Sequence, residues 1–364
     1  MKANTFLTLA AVLTAMTAQA APISRQQAQQ RAQQFLQGRS GSRRLAPVTQ
    51  RHRLAPVPFA PGQKLNPAAM QADEDLFYVF DRGEEQGFII MSGDDQTLPV
   101  LGYTDQGSFD YSNLPENMRH WLDGYAAQLR LIRQQPQMAV PVTAVPVHDP
   151  VEPMITTKWN QGNPYNLTCP DYFGRGRSVT GCVATAMAQV LYYWHANSPR
   201  EVQADIPAYD TNTAHATYGK LHVEGIPAGA VIDWDNMIEV YGNNATMQQR
   251  MAVANLMHYC GVAVRMDYTN SSSGAFSNDV PDAFKKYFGY GSSVRYIGQG
   301  DYTETTWDRA LYKEVSEGRP TYLSGASSSG GHAFVCDGYD GNYCYHINWG
   351  WGGGGPTATT SSPA

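Results

Sequence analysis

A glycine and a cysteine, Gly181 and Cys182, stand at the predicted start of a helix and are the first candidates for chemistry. A thiol at a helix N-terminus meets free backbone N–H groups and the positive end of the helix dipole, and both favour the thiolate. Gly181 has no side chain, so a substrate backbone can approach the sulfur closely. The pair predicts a nucleophilic cysteine. The alternative is a cysteine that serves only as a small buried hydrophobic residue.

A histidine after a flexible loop is the second candidate. The Ser/Gly-rich stretch 324–331 leads into His332 and then into an apolar strand. A histidine at the mouth of a strand can reach over from a second subdomain and share a proton with a thiol. The alternative is a histidine that only caps the strand. His346 is the main rival as the base, but no flexible loop precedes it. His195 closes the central helix, where a cation suits the dipole, and is interpreted as structural.

An asparagine and a tryptophan, Asn348 and Trp349, follow His332 after a short interval. The Asn348 amide is placed to accept the imidazole N–H and fix its tautomer, as the orienting member of a triad. Trp349 would then shield that bond from water, unless it is simply a core residue. The order of cysteine, distant histidine and nearby asparagine is the order of papain-like hydrolases.

Four stretches make the sequence similar to the streptopain family of secreted bacterial cysteine peptidases. The resemblance also includes the front segment, where residues 77–81, 87–93 and 101–109 look like that family's inhibitory propeptide. It covers almost the whole chain after the predicted signal peptide. It implies polypeptide substrates and a propeptide that acts as an intramolecular inhibitor. The four stretches are residues 160–166 (NQGNPYN), 180–189 (TGCVATAMAQ), 331–335 (GHAFV) and 346–353 (HINWGWGG).

The resemblance implies roles for individual residues. Cys182 matches the nucleophile and His332 the general base and acid. Gln161 matches the side chain that forms the oxyanion hole with the Cys182 backbone N–H, and an amide can donate to a tetrahedral oxyanion. Asn348 and Trp349 match the residues that orient and cover the histidine. Substrate-binding positions are implied at Gly331, Gly181 and Ser273.

The resemblance also implies the fold class and the domain boundaries. The expected fold is α+β, with a papain-like catalytic domain of two subdomains, one around the central helix and one built on an antiparallel β-sheet. A small α+β propeptide domain precedes it. Residues 1–20 are expected to be a signal peptide, residues 21–140 the inhibitory propeptide domain and residues 141–364 the peptidase domain.

Local patterns predict the elements of both domains. Ser24 and Gln27 form a capping box for a helix up to residue 36. Short apolar strands are expected at 76–81, 87–91 and 98–103, and an amphipathic helix is expected from Pro115 to residue 132. A Pro-rich stretch at 136–153 predicts an extended seam that a protease could cut. An apolar stripe predicts that residues 182–195 form a buried central helix.

The N-terminus predicts export. Lys2 precedes a short apolar core, and residues 18–20 fit the small-x-small rule for signal cleavage. No other segment is long and apolar enough to cross a membrane, so the predicted mature protein is extracellular and is not inserted in a membrane. The net charge is −6, and after residue 139 there are 20 acidic against 13 basic residues. A nucleic-acid partner is therefore not expected.

Five cysteines leave at least one without an intramolecular disulfide. Cys336 and Cys344 flank a predicted hairpin turn and could pair across it, but two buried thiols are the preferred interpretation. No group of cysteine, histidine and acidic residues has the close spacing of a zinc site, so neither a metal nor another cofactor is expected.

The C-terminus departs from the family pattern. The family continues with a further strand after residue 353, whereas residues 354–364 are rich in Gly, Thr, Ser and Pro and are expected to be disordered. Two alternatives to a peptidase zymogen therefore stay open. One is an inactive truncated relative that binds peptides or inhibits another peptidase. The other keeps the Cys-His-Asn site but makes it an amidase or an amide transferase.

Overall fold

The computed structural model describes residues 22–39, 55–56, 76–83, 86–109, 122, 125–126, 129–130, 132–133, 146–327, 330–353 and 357–359. We refer to the described residues before 134 as the front unit and to those from 146 onward as the C-terminal unit. The predicted signal peptide, residues 1–20, lies outside the described residues. No helix in the described part of the chain is long and apolar enough to span a membrane.

The front unit is a helix packed on four strands. Helix α1 (Arg25–Arg39) precedes strands β1 (Ala55–Pro56), β2 (Phe77–Asp81), β3 (Phe88–Ser92) and β4 (Val100–Thr104). The predicted capping box is confirmed, since the Gln27 side chain accepts from Ser24 N at 2.7 Å and Ser24 Oγ accepts from Gln27 N at 3.3 Å. The predicted strands are confirmed as β2, β3 and β4. The described positions between 122 and 133 are helical, as predicted, and Leu122 and Leu129 are buried.

The C-terminal unit has a helical half around one buried helix, α2 (Cys182–Tyr193). Its other helices are α3 (Met247–Ala263), α4 (Val280–Tyr287) and α5 (Glu304–Ser316), and β5 (Tyr209–His215) pairs with β6 (Gly219–Val223). Helix α2 packs against α3 and buries Val183, Met187 and Leu191 in the main core. The α-helix ends at Tyr193, two residues before the predicted end at His195, which begins a 3₁₀ turn.

The second half of the C-terminal unit is an antiparallel sheet. It contains β7 (Thr321–Ser327), β8 (Gly330–Tyr339), β9 (Cys344–Asn348) and β10 (Thr357–Thr359). Helix α2 covers one face of β8, and α5 covers the other through a smaller core that includes Leu311 and Val315. The sheet and the helical half together give the expected two-subdomain α+β arrangement.

The two units share one eight-stranded sheet, in the order β1-β2-β3-β4-β10-β9-β8-β7. Strand β10 pairs antiparallel with β4 on one side and with β9 on the other. The prediction that residues 354–364 are disordered is therefore wrong for residues 357–359; the other tail residues lie outside the described part. The backbone groups of two neighbouring strands bring β10 into the sheet without an apolar side-chain pattern.

The predicted hairpin between β8 and β9 is confirmed, but no disulfide crosses it. All five cysteines are thiols, and Cys336 and Cys344 are both buried. In the register of the hairpin Cys336 lies opposite Ile347, and Cys344 lies opposite Thr359 of β10. Cys336 faces the α5 core, whereas Cys344 is part of the front-unit core with Tyr103. The interpretation as two buried thiols is confirmed.

Candidate active site

Cys182 is the first residue of α2, and Gly181 is its N-cap residue with φ 81°. No side chain caps this helix end, so the N–H groups of its first turn point toward the thiol side. A Cβ atom at position 181 would come within 2.7 Å of Met266 Sδ and 3.0 Å of Ser273 O. Only glycine fits here, because the left-handed backbone and the lack of space both exclude a side chain.

The thiol of Cys182 is subject to two opposing influences. Burial raises its pKa above the ordinary value, while the backbone N–H groups of Ala333, Val183 and Cys182 itself act to lower it. Ala333 is the chain neighbour of His332, so the β8 backbone that carries the histidine touches the sulfur. In this state desolvation outweighs the N–H groups, and the thiol is held protonated at neutral pH.

Gln161 lies beside the same helix end. Its carbonyl oxygen accepts from Thr180 N at 3.1 Å, two residues before Cys182, and its own N–H donates to Asn160 Oδ1 at 2.7 Å. The backbone pairing brings the half-buried Gln161 to the start of α2. The role of its side-chain amide as an oxyanion-hole donor stays a prediction.

The sheet residues divide between its two faces. In the β7–β8 pair Tyr322 lies opposite Val335, and His332 lies opposite Gly325. Successive side chains of a strand alternate between the faces. Ala333 and Val335 belong to the main core that surrounds α2, whereas Phe334 packs against the α5 core. The His332 ring therefore lies on the α5 face, away from the face that meets Cys182.

The His332 imidazole is held by aromatic rings. Its Nε2 atom lies 3.0 Å from the carbonyl oxygen of Trp349. The ring stacks on Trp351 with centroids 5.2 Å apart, on Trp349 at 6.0 Å and on Phe334 at 6.1 Å. The side chain is 9% exposed, and burial lowers its pKa to about 4. No hydrogen bond joins this ring to the Cys182 thiol within the described part of the chain.

Trp351 connects the histidine to the front unit. On one side it stacks on the His332 ring, and on the other it packs against a cluster of buried front-unit residues. We call this the front-unit cluster. It consists of Leu76, Phe77, Val79, Phe88, Ile90, Leu101, Phe109, Leu122, Tyr125, Ala126 and Leu129. A chain of direct contacts therefore runs from the front unit to the predicted base.

Asn348 makes contacts other than the predicted one. Its Nδ2 donates to Thr157 O at 2.8 Å, and its Oδ1 accepts from Gly350 N at 3.1 Å. The expected bond between this amide and the imidazole is not formed in this structure, because Trp349 O occupies the imidazole Nε2. Trp349 is buried, with 4% exposed, and stacks close to parallel on Trp351. Trp349 and Trp351 both stack on the His332 ring, and the shielding of an Asn348–His332 bond by Trp349 stays a prediction.

The two other predicted substrate positions lie near the thiol in different ways. The Ser273 hydroxyl is bound inward, donating to Thr269 O and accepting from Thr269 N, both at 3.0 Å. Its carbonyl oxygen, rather than its hydroxyl, borders Gly181. Gly331 is exposed in β8, next to His332. Both positions therefore present backbone to the region around Cys182 and His332.

The competing histidines have partners of their own. His346 Nδ1 lies 2.6 Å from Oδ1 of Asp337, a fully buried carboxylate whose other oxygen accepts from Ile155 N at 2.6 Å. His195 Nδ1 lies 2.6 Å from Tyr192 O at the exposed end of α2. Neither contact involves the thiol. No cluster of histidine, cysteine and acidic residues suited to a metal occurs among the residues that the structure describes.

Sequence reasoning missed two contributors to the site. The Tyr322 hydroxyl lies 2.8 Å from Ser277 Oγ and joins β7 to the helical half across the cleft. Burial raises the pKa of Tyr322, and the neighbouring Cys182 raises it further, so this phenol lies in the surroundings of the predicted nucleophile. Trp351 was the other omission. The hairpin pairing of Tyr322 with Val335 was the signal that could have located the tyrosine, since Val335 follows His332 by three residues.

Comparison with protein families decides what this arrangement belongs to. Residues 159–355 match the peptidase C10 family, and residues 20–129 match the family described as Spi protease inhibitor. The chain belongs to the peptidase C10 family. The predicted resemblance to streptopain and the predicted likeness of the front segment to an inhibitory propeptide are both confirmed.

Two bacterial relatives support the C10 assignment. Streptopain of Streptococcus pyogenes is 36% identical over 280 residues, which cover 73% of this chain and 69% of streptopain. The thiol protease/hemagglutinin PrtT of Porphyromonas gingivalis is 33% identical over 303 residues. That match covers 78% of this chain and 34% of PrtT, so the chain spans about a third of that relative's length.

Two solved structures of C10 relatives share the fold. A prointerpain A fragment of Prevotella intermedia has a TM-score of 0.69 at 27% identity, covering 86% of this chain and 92% of that fragment. The active wild-type interpain A cysteine protease of the same organism has a TM-score of 0.52 at 33% identity, covering 58% of this chain and 86% of its own. The predicted fold class is confirmed: a papain-like C10 domain preceded by an inhibitor-like α+β unit.

Proposed function

We propose that this C10 chain is a secreted cysteine endopeptidase made as a zymogen. Residues 1–20 direct export, the segment up to about residue 140 inhibits, and residues from about 141 form the peptidase. Polypeptides are its substrates. The observation that carries the proposal is the contact between the Cys182 sulfur and the Ala333 N–H, because it places the nucleophile against the backbone that bears His332.

The chemistry assigns one step to each predicted residue. In the active form His332 takes the proton of Cys182, and the resulting thiolate attacks the scissile carbonyl carbon. The N–H of Cys182 and the amide of Gln161 donate to the oxyanion that forms. His332 then gives its proton to the departing amine, and an acyl-enzyme remains. A water molecule, deprotonated by His332, releases the acid and restores the thiol.

Inhibition in this proposal acts through the position of His332. The front-unit cluster packs against Trp351, and Trp351 stacks on the His332 imidazole. Both contacts lie on the face of β8 that is turned away from Cys182. Because the pKa of the Cys182 thiol is raised and the pKa of the His332 imidazole is lowered, both groups stay neutral at pH 7. Removing the front unit takes away the packing on Trp351. The imidazole can then turn to the thiol, and Asn348 can orient it.

Peptidase activity is tested by incubating the purified chain with casein beside its Cys182→Ala variant. The parent chain should convert to a smaller form and degrade casein, while the variant should do neither. An alkylating reagent such as iodoacetamide should then modify Cys182 much faster than Cys169, Cys260, Cys336 or Cys344, which are fully buried. Casein loss that is equal in both proteins would contradict the proposal.

One observation favours a second candidate, an inactive relative that inhibits another peptidase. The His332 ring is bonded to Trp349 O and not to the thiol, as a permanently inactive site would also allow. To test it, the front unit is removed with an added protease and Cys182 labelling is measured. Slow labelling after removal, together with inhibition of streptopain by the whole chain, would support the inhibitor over the peptidase.

A further inference from the structure

A histidine outside the candidate active site occupies a built slot on the surface of the C-terminal unit. His148 Nε2 lies 2.6 Å from Oδ2 of Asp308 on α5. Its ring stacks on Tyr312 with centroids 3.9 Å apart and planes 8° from parallel, and the edge of Tyr339 closes the slot at 5.7 Å. The His148 side chain is only 14% exposed, whereas its neighbour Val147 is 62% exposed.

A second hydrogen bond fixes the Asp308 carboxylate within the slot. Asp308 is buried, with 5% exposed, and its Oδ1 accepts from the Tyr345 hydroxyl at 2.9 Å. The carboxylate therefore cannot turn away from His148 without losing its bond to β9. A hydrogen bond to a buried carboxylate that is covered by two aromatic rings is stronger than a contact on the open surface.

The residues after His148 continue along the edge of β8. We call residues 146–155 the strap. Val151 and Tyr339 exchange two backbone hydrogen bonds at 2.7 and 2.8 Å, and Met154 N donates to Asp337 O at 3.1 Å. Ile155 N donates to the buried carboxylate of Asp337 at 2.6 Å. A Cβ atom at position 338 would come within 2.9 Å of Val151 O. The strap can therefore pass this close to β8 only because residue 338 is a glycine.

Every one of these strap contacts is made to the C-terminal unit. The partners lie on α5 and β8, and none of them belongs to the front unit. Loss of the front unit therefore leaves these contacts in place. This distinguishes the strap from the sheet junction between β4 and β10, which loses one partner strand.

We propose that His148 is a retention anchor that makes the strap a permanent part of the peptidase and ends proteolytic maturation upstream of it. A protease cuts a segment that can detach from the folded domain and bind in extended form. The contact of His148 with Asp308 keeps residues 148–155 attached to the domain. The inference rests on the proposed zymogen function. It assigns the strap, which the Pro-rich sequence predicted as part of a cleavable seam, to the mature protein.

The test uses the Cys182→Ala chain, which is expected not to process itself, and a trace of subtilisin as the cutting protease. Intact mass over time gives the N-terminus of each product. The Cys182→Ala chain should yield a lasting product that begins upstream of His148. A Cys182→Ala/His148→Ala chain should lose residues 148–155 about tenfold faster, because local opening sets the cutting rate. A Cys182→Ala/Val147→Ala chain is the matched control and should behave as its parent.

Two results would contradict the proposal that His148 anchors the strap. One is a parent chain that is trimmed past His148 as fast as it loses the front unit. The other is a His148→Ala chain that keeps the strap as long as its parent. If His148→Ala is cut throughout the chain, a Tyr312→Leu variant removes the ring stack and leaves the contact between His148 and Asp308. The same two results then decide. Because the protease is added, the outcome does not depend on whether the chain has peptidase activity of its own.

Discussion

The two halves of the candidate site are in different states. On the helix side Gly181, Cys182 and Gln161 are together, and the backbone of Ala333 completes the surroundings of the thiol. On the sheet side the His332 ring lies on the opposite face of β8, stacked with Trp349 and Trp351. In the proposed mechanism the nucleophile Cys182 is already in place, and the base His332 is held away from it. Control of the proposed activity then lies in a single side chain.

This difference has an electrostatic consequence. A thiolate–imidazolium pair stabilises both charges only when the two groups are close. Separated and buried, each group favours its neutral form, so the thiol pKa rises and that of His332 falls to about 4. If Cys182 and His332 came together, each charge would stabilise the other, and the thiolate and the imidazolium would both be favoured. The predictions below test whether the halves differ in this way.

The largest effect is expected from removing either partner. After the front unit has been removed, Cys182→Ala and His332→Ala should each lower kcat/KM for a peptide substrate by at least about 10⁴-fold, since both act in every step. His346→Gln is the matched control, because glutamine can still donate to Asp337. It should stay within about tenfold of the parent. The assignment of the base fails if His346→Gln is the inactive variant and His332→Ala is active.

A smaller loss is expected on the helix side. Gln161→Ala should lower kcat by about 10²–10³-fold through the loss of one oxyanion donor, with alkylation of Cys182 unchanged. Gln161→Glu keeps the shape but not the donor and should lose as much. Steady-state kinetics on a chromogenic peptide measures both. If the two variants keep kcat within about threefold of the parent, Gln161 is not the donor.

The next effect tests the contact between the units. In the zymogen Trp351→Ala removes the ring between the front-unit cluster and His332, so Cys182 should be alkylated about tenfold faster, as expected for loss of one buried aromatic contact. The gain should vanish when His332→Ala is added. Trp307→Ala is the control, because Trp307 lies on α5 and meets Tyr302 edge to face, with ring centroids 5.7 Å apart. An unchanged rate of Cys182 alkylation in Trp351→Ala would contradict the proposal that the front unit holds His332 through Trp351.

Some of this organisation could be predicted from the sequence and some could not. The capping box at Ser24, the apolar strands of the front unit and the stripe on α2 are local patterns, and the structure contains all three. The face occupied by His332 is not a local property. Adjacent strand residues take opposite faces, and the choice here depends on Trp351 and on a cluster more than 200 residues away in sequence.

The missed details share this non-local origin. The Asn348 amide bonds to Thr157 because the segment that leads to Gln161 passes beneath β9. Cys336 and Cys344 are separated because the hairpin pairs Tyr339 with Tyr345, which places Cys336 opposite Ile347. Strand β10 exists because β4 and β9 both offer it backbone partners, which no pattern within residues 354–364 could indicate.

The smallest effect expected is on stability below neutral pH. Burial lowers the pKa of His332, and also that of His258, to about 4, while an unfolded chain takes up these protons near pH 6.5. The unfolded state then binds more protons between these values. The free energy of unfolding of the zymogen should fall as the pH drops from 6.5 toward 4, by up to about 1.4 kcal/mol per pH unit for each histidine. Urea unfolding at several pH values measures this slope.

The stability test also separates the two histidines. His258→Gln should remove its share of the slope and leave that of His332. After removal of the front unit the share from His332 should shrink, because pairing with the thiol restores its affinity for the proton. A slope that is the same before and after removal would mean that His332 stays in its aromatic stack.

The most direct measurement is the rate of Cys182 alkylation by iodoacetamide as a function of pH, before and after removal of the front unit. The account predicts that the zymogen reacts only as the pH rises into and above the ordinary thiol range. The processed protein should react already near pH 5, with a second inflection that His332→Ala abolishes. Identical pH profiles before and after removal, unaffected by His332→Ala, would contradict the claim that the front unit withholds the base.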